Sequence, residues 1–183
     1  MEPLTILQKP VAAGNWKPMG PPRKVRAVVL HVAEGNAASV DSWFANPAAD
    51  VSAQFLVRLD GVIHQYVSVH DKAHHAGIID RPTWDGADAG NINATTIGIE
   101  HEGYGTKPWP AEQLHASAML SAWCAARFDL VPTPDDFPLH REIRASKTCP
   151  GPTFDRDAYL ARVDTLLRVL DLDALRALLP GLR

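Results

Sequence analysis

His31, His140 and Cys149 are the residues of this 183-residue chain whose types fit one chemistry. His31 stands near the end of the run Val-Arg-Ala-Val-Val-Leu-His-Val (25–32) and is followed closely by Ala-Glu-Gly, a turn. His140 repeats the pattern, after Phe137-Pro138-Leu139 and before the charged Arg141-Glu142. A polar ring at the end of a buried strand needs a partner, because an unsatisfied buried donor or acceptor costs ~1–3 kcal/mol. Cys149 lies in Lys147-Thr148-Cys149-Pro150-Gly151, a loop-like stretch in which nothing points to core packing. Two imidazoles and one thiolate form a mixed nitrogen and sulfur set suited to zinc. Three protein ligands leave a fourth position open, the arrangement of catalytic rather than structural sites. Spacing alone does not decide, since each histidine by itself also reads as a satisfied structural ring. The other cysteine, Cys124, falls in a helical stretch and reads as a small buried thiol. His115 and His64 read as surface or half-buried structural histidines.

The elements that must position these groups follow from pattern. Val25 to Val32, rich in β-branched residues, predicts a strand buried on both faces. A short helix follows, with Ser39 as N-cap, Val40, Trp43 and Phe44 turned inward, and Asn46-Pro47 as its stop. Val51 to Leu59 and Val62 to Val67, joined by Asp60-Gly61, predict a β-hairpin. Residues 70 to 95 mix His, Gly, Asp and Asn without a period, the composition of a functional loop. Thr96 to Glu102 reads as a strand, with Glu100 and Glu102 on one face by alternation. Pro110 in a first turn opens a helix to about Phe128, and Phe137 to His140 is short and strand-like. A helix is expected from Asp157 to about Leu179, with Tyr159, Leu160, Val163, Leu166, Leu167 and Leu170 on one face. Residues 1–24, with five prolines, read as an N-terminal arm covering a surface, and 25–183 as one folded domain with its C-terminal helix. The expected fold class is α/β (α+β): a single domain with a central mixed β-sheet flanked by helices.

Composition narrows the field. Hydrophobic residues are 46% and charged residues 21%, ordinary for a soluble globular chain. A net charge of −3 gives no bulk attraction to nucleic acid or anionic lipid. No window reaches the ~18 apolar residues of a membrane span. Met1-Glu2-Pro3-Leu4-Thr5 lacks a basic n-region followed by an apolar h-region, so a cytoplasmic location without a signal peptide is expected. Two cysteines cannot build a disulfide framework.

Several longer words then appear in a telling order: Val28-Val29-Leu30-His31, Val51 to Gln65 (VSAQFLVRLDGVIHQ), Ala73-His74-His75-Ala76-Gly77, Thr96-Ile97-Gly98-Ile99-Glu100, and His140 to Asp155 with its Lys-Thr-Cys-Pro-Gly. Together they resemble the zinc-dependent N-acetylmuramoyl-L-alanine amidases of the type-2 amidase and peptidoglycan-recognition-protein family, over about residues 25 to 165. The family includes phage endolysins and bacterial wall-recycling enzymes. The resemblance implies that His31, His140 and Cys149 bind Zn2+ and that Lys147 steadies an oxyanion, where a solvated loop charge is the plain alternative. Some members use a tyrosine in the hairpin's first strand as general base. Ala53 stands there, so the resemblance passes the role to Glu100. Glu102 is then a solvated strand-end charge or a substrate contact. His75 matches a histidine that lines the cleft. The loop from Gly77 to Asn93, with Arg81, Trp84, Asp85 and Asp88, is expected at the cleft rim, unless Trp84 pins the loop to the body. Val32, Ala53-Gln54-Phe55 and His74 depart from the family's words and put substrate preference in doubt.

The implied activity is hydrolysis of the amide between N-acetylmuramic acid and the L-alanine of the peptidoglycan stem peptide, by a phage or prophage endolysin that reaches the wall through a membrane pore. A cytosolic muropeptide-recycling amidase and a non-catalytic peptidoglycan-binding module are the alternatives. The expected partner is peptidoglycan or a muropeptide, with no nucleic acid, no stable membrane insertion and a monomeric chain.

Overall fold

Side-chain alternation along a few short strands decides which groups reach the core and which reach the cleft. The computed structural model describes residues 1–87 and 92–183. In chain order its elements are β1 (Ile6–Gln8), β2 (Trp16–Lys17), β3 (Ala27–Leu30), α1 (Ala37–Phe44), β4 (Phe55–Val57), β5 (Ile63–Gln65), β6 (Lys72–Ala73), α2 (Ile92–Thr95), β7 (Thr96–His101), α3 (Ala111–Phe128), α4 (His140–Ile143), α5 (Arg156–Val169) and α6 (Leu172–Leu178). Five strands form one sheet in the order β1-β5-β4-β7-β3, and β2 pairs with β6 in a separate ribbon. The sheet is mixed: β4 and β5 are antiparallel, while β1/β5, β4/β7 and β7/β3 are parallel. This is the expected single α/β domain.

Val28, Leu30, Ile97 and Ile99 point to the face covered by α3, α5 and α6, where they pack with Phe55, Leu120, Val163 and Leu175. Ala27 and Val29 point to the other face, against Ala76, Trp84, Ile92 and Ile143. Farther along that other face, Val40 and Phe44 of α1 pack with Leu56 and Tyr66. Continuing the alternation past Leu30 and Ile99 places His31 and Glu100 on the face away from the long helices. The parallel register pairs Leu30 with Ile99, so both groups leave the sheet side by side.

The hairpin turns at Asp60-Gly61 as expected, with Asp60 Oδ1 accepting from Val62 N at 3.1 Å. Several local expectations are corrected. Asn36, not Ser39, caps α1: its Oδ1 accepts from Ser39 N at 2.8 Å. Trp43 is not inward but 52% exposed, because the 100° helical step puts Ala37, Val40 and Phe44 against the body. Pro110 is the N-cap of α3 rather than a residue of its first turn. The Phe137–His140 segment contributes a single parallel bridge, Leu30 to Leu139, and then coils into the one-turn α4. The expected helix over 157–179 is two helices, broken where Leu170 turns extended and Asp171 caps α6 by accepting from Ala174 N at 2.8 Å. An N-cap in mid-run ends the preceding helix, although the apolar periodicity continues across it.

The largest difference is the N-terminal arm. β1 is the edge strand of the main sheet, and Asn15 Nδ2 donates to Phe44 O and Asn46 O at the end of α1. Arg23 is buried with every donor group engaged. Nε donates to Ala94 O (2.9 Å), Nη1 to Val69 O (2.9 Å), and Nη2 to Asn93 O (2.8 Å) and Thr96 O (2.6 Å). Burial, partly countered by Asp71, brings its pKa down to about 10, so the guanidinium stays charged. Five prolines read as an irregular arm, yet hydrogen bonding makes this segment part of the body. Arg23→Ala leaves these buried carbonyls without a donor and is expected to cost about 3 kcal/mol, read from the midpoint of urea denaturation.

Candidate metal centre

The ends of β3 and β7 and the single turn α4 converge on one point. The ligand-capable atoms of His31, His140 and Cys149 all lie within 4.8 Å of one another. His31 Nδ1 is 3.0 Å from His140 Nδ1, which is 3.2 Å from Cys149 Sγ. His31 is fixed by its place after β3, its N–H donating to Ile99 O at 2.9 Å. His140 begins α4, and the loop back to Cys149 is closed by Arg141 N donating to Cys149 O at 3.2 Å. The far side of that loop rests on a close backbone crossing. A Cβ on Gly151 would stand 2.2 Å from Gly105 O, so only glycine fits there.

The outward nitrogens of both rings are already engaged. Thr96 Oγ1 donates to Ile92 O at 2.6 Å, so at 3.2 Å from His75 it acts as acceptor for Nε2–H. His75 Nδ1 then carries a lone pair and accepts from His31 Nε2–H at 3.1 Å. His140 Nε2–H donates to Ala76 O at 3.2 Å. These assignments leave an unprotonated Nδ1 on both His31 and His140, with two lone pairs facing each other across 3.0 Å. Two acceptors and a sulfur at this spacing fit a small divalent cation, and both rings have the outer hydrogen bonds that orient metal-binding histidines. Zinc suits this nitrogen and sulfur set.

The electrostatics agree. Burial, with the neighbouring histidines, drives His31 well below its usual pKa and takes His75 to about 3. Burial takes His140 to about 4, with Ala76 O countering and Lys147 adding to the fall. The rings are therefore neutral and available as ligands at pH 7. The same burial raises Cys149 to about 12, reinforced by Glu100, so the sulfur needs a cation to ionise. Glu100, its side chain 16% exposed, has Oε1 3.8 Å from His31 Nδ1. Burial lifts its pKa to about 7 against the pull of Lys147, and its buried Oε2 has no hydrogen-bond partner among the described residues. Lys147 is exposed on the loop before Cys149 and lines the cleft with Glu100 and the three candidate ligands.

Other residues named from sequence lie elsewhere. Glu102 points away from the cleft, with Oε1 accepting from Ala37 N at 2.8 Å and Oε2 from Leu59 N at 3.0 Å. It clamps the start of α1 to the hairpin, because β7 ends at His101 and strand alternation no longer governs it. Trp84 is buried under Arg26, its Nε1 donating to Asp135 O at 2.9 Å, and it pins the loop to the body rather than forming a rim. Arg81 is exposed beside Asp80, Asp85 is exposed, and neither lines the cleft; Asp88 lies outside the described residues. His75 reaches the cleft, but both its nitrogens are engaged behind His31. Gly98 makes room for it, since a Cβ there would stand 2.4 Å from His75 Cγ. Sequence reasoning missed Thr96 as the anchor of this chain and Trp43 as a cleft wall. The first could have been found from the polar β7 residue one alternation before Gly98. His64, read as structural, is buried with Nδ1 2.8 Å from Asp41 Oδ1. Cys149→Ser is expected to lose most zinc affinity, measured as metal content after dialysis. Thr96→Val, which removes the end of the relay together with the Oγ1 bond to Ile92 O, should weaken zinc by about tenfold in a competition with a chelator.

Comparison with known proteins matches residues 21–152 to the Amidase_2 family, described as N-acetylmuramoyl-L-alanine amidase. N-acetylmuramoyl-L-alanine amidase A of Achromobacter lyticus is 36% identical over 121 residues, 64% of this chain and 60% of that protein. The chain thus spans well under two thirds of that relative's length. A crystal structure of an AmpD derivative superposes with a TM-score of 0.67 at 26% identity, covering 87% of this chain and 94% of that one. The Escherichia coli N-acetylmuramyl-L-alanine amidase AmiD, solved in complex with anhydro-N-acetylmuramic acid-L-Ala-D-γ-Glu-L-Lys, superposes with a TM-score of 0.66 at 26% identity over 77% of this chain and 58% of that one. With the family's pattern matched from residue 21 to residue 152, the chain belongs to the Amidase_2 family of N-acetylmuramoyl-L-alanine amidases.

Proposed function

We propose that the protein hydrolyses the amide joining the lactyl group of N-acetylmuramic acid to the L-alanine of the stem peptide, with zinc held by His31, His140 and Cys149. The observation that carries this reading is the convergence of two neutral imidazole lone pairs and a sulfur beside a buried carboxylate, in a chain of this family. The ion would supply a Lewis acid for the scissile carbonyl and make an attacking water more acidic. Glu100 takes the proton from that water and returns it to the departing amine; its poorly solvated carboxylate, with a pKa lifted toward neutrality, is matched to both transfers. Lys147 places its ammonium at the cleft, where it stabilises negative charge developing on the carbonyl oxygen. His75 and Thr96 hold the His31 ring in one tautomer and orientation.

The endolysin setting rests on Cys149 as third ligand, since the resembled family has Cys there in many phage and recognition-protein members and Asp in its recycling branch, and it carries cytoplasmic synthesis followed by release to the wall. A recycling role is the second reading, favoured by the substrate named for the AmiD complex, a soluble anhydro-muropeptide. Digestion of intact sacculi in parallel with soluble anhydro-muropeptides separates the two. In either case the product is a stem peptide with L-alanine as its new N-terminus, seen by mass analysis, and a chelator abolishes it. Retention of zinc with no hydrolysis of either substrate would overturn the reading in favour of a binding module.

Glu100→Gln should keep the metal and lower kcat/KM by about 10²–10⁴-fold at pH 8. The base works only when ionised, so wild-type kcat/KM should fall as pH drops through the pKa of Glu100. That pKa is about 7, with burial raising it against the pull of Lys147, and a bound cation would draw it lower.

A further inference from the structure

Two hollows meet over His75, His140 and Lys147, and their walls differ in chemistry. The larger, about 690 Å³, contains the candidate centre and is walled by Val40, Trp43 and Phe44 of α1, with the Trp43 indole half in solvent. The second, about 480 Å³, is lined by Lys17 of β2, Lys72 of β6 and Arg144 just after α4. Its one acidic lining residue, Asp50, is engaged with His74 Nδ1 at 3.1 Å. None of Lys17, Lys72 and Arg144 forms an ion pair among the described residues.

Lys17 and Lys72 are direct partners across the β2–β6 ribbon. Like charges facing each other on paired strands destabilise the pair, and an anion seated between them removes that penalty. Lys17 also lies outside the family match, on the segment that Arg23 and Asn15 fasten to the body, so the N-terminal part adds this cation to a wall whose other two, Lys72 and Arg144, lie within the match.

We propose that the cleft is polarised: the Trp43 hollow takes the saccharide on the acyl side of the scissile amide, and Lys17, Lys72 and Arg144 take the carboxylates of the stem peptide on the amine side. The inference rests on the amidase reading and adds substrate direction and a preference to it. A γ-linked glutamate keeps a free α-carboxylate close to the scissile bond, and that group is the natural anion for the paired lysines. The pyranose ring is uncharged and offers C–H faces to an exposed indole.

The test uses two soluble muropeptides and their sugar-free stem peptides, differing only in whether the γ-linked glutamate carries a carboxylate or a carboxamide. Wild-type, zinc-loaded protein should bind the carboxylate peptide about three- to tenfold more tightly by calorimetry, the range expected for two partly exposed ion pairs. That preference should shrink as salt is raised. In Lys17→Ala/Lys72→Ala the ratio should fall toward one, with a thermal midpoint no lower than wild type confirming the fold. Trp43→Ala should instead narrow the affinity gap between peptides with and without the saccharide. Equal binding of carboxylate and carboxamide by wild type, no binding of either, or a preference indifferent to the lysine substitutions would overturn the proposal. Lysine-dependent peptide binding without hydrolysis of either muropeptide would uphold the polarised cleft and sink the amidase reading instead.

Discussion

Three electron-pair donors held at one point, with their outer partners already satisfied, are the constraint on which the rest of this structure depends. His31 and His140 cannot relieve their facing lone pairs by rotating, because the far nitrogens are tied to His75 and to the Ala76 carbonyl. The fold holds this arrangement with three rigid pieces. Parallel pairing of β3 with β7 fixes His31 beside Glu100, the first residue of α4 carries His140, and the Gly105–Gly151 crossing presses the Cys149 loop into place. Repulsion between the two facing imidazole lone pairs is part of what a cation would relieve, so metal binding and local rigidity favour one another.

Burial acts on every titratable group of the centre in the same direction. It neutralises the imidazoles and holds protons on the thiol and, near neutrality, on the Glu100 carboxyl. Lys147 stands in solvent at the rim of this cleft, as a cation beside the buried groups. An arriving divalent ion would meet neutral imidazoles, a protonated thiol and a Glu100 carboxyl poised near neutrality, and would gain negative charge there by displacing protons. A site built from solvated carboxylates would be charged beforehand and would discriminate less by ligand softness.

Much of this was legible in the chain, and the reasons are local. Val25 to Val32 announces a buried strand because β-branched residues fill both faces, and Asp60-Gly61 announces a hairpin because few other dipeptides fit the turn. His31, His140 and Cys149 stand out because polar groups end apolar runs or sit in loops that the core does not explain. Alternation alone could not separate Glu100 from Glu102; the strand's end did, by freeing Glu102 to bind the Ala37 and Leu59 amides. Trp43 and Trp84 exchanged their expected places, since a tryptophan's fate depends on which neighbour covers it and periodicity does not encode that. The arm from residue 1 to 24 was opaque because Arg23 is held by carbonyls of distant segments, contacts that leave no trace in local pattern.

The sulfur of Cys149 carries one more consequence. A thiol that burial pushes up to about 12 stays protonated at neutral pH, and alkylating reagents and peroxides attack the anion. Without a cation the candidate ligand would stay a thiol, slow to react with either. The shelter that makes the ligand reluctant to ionise also preserves it.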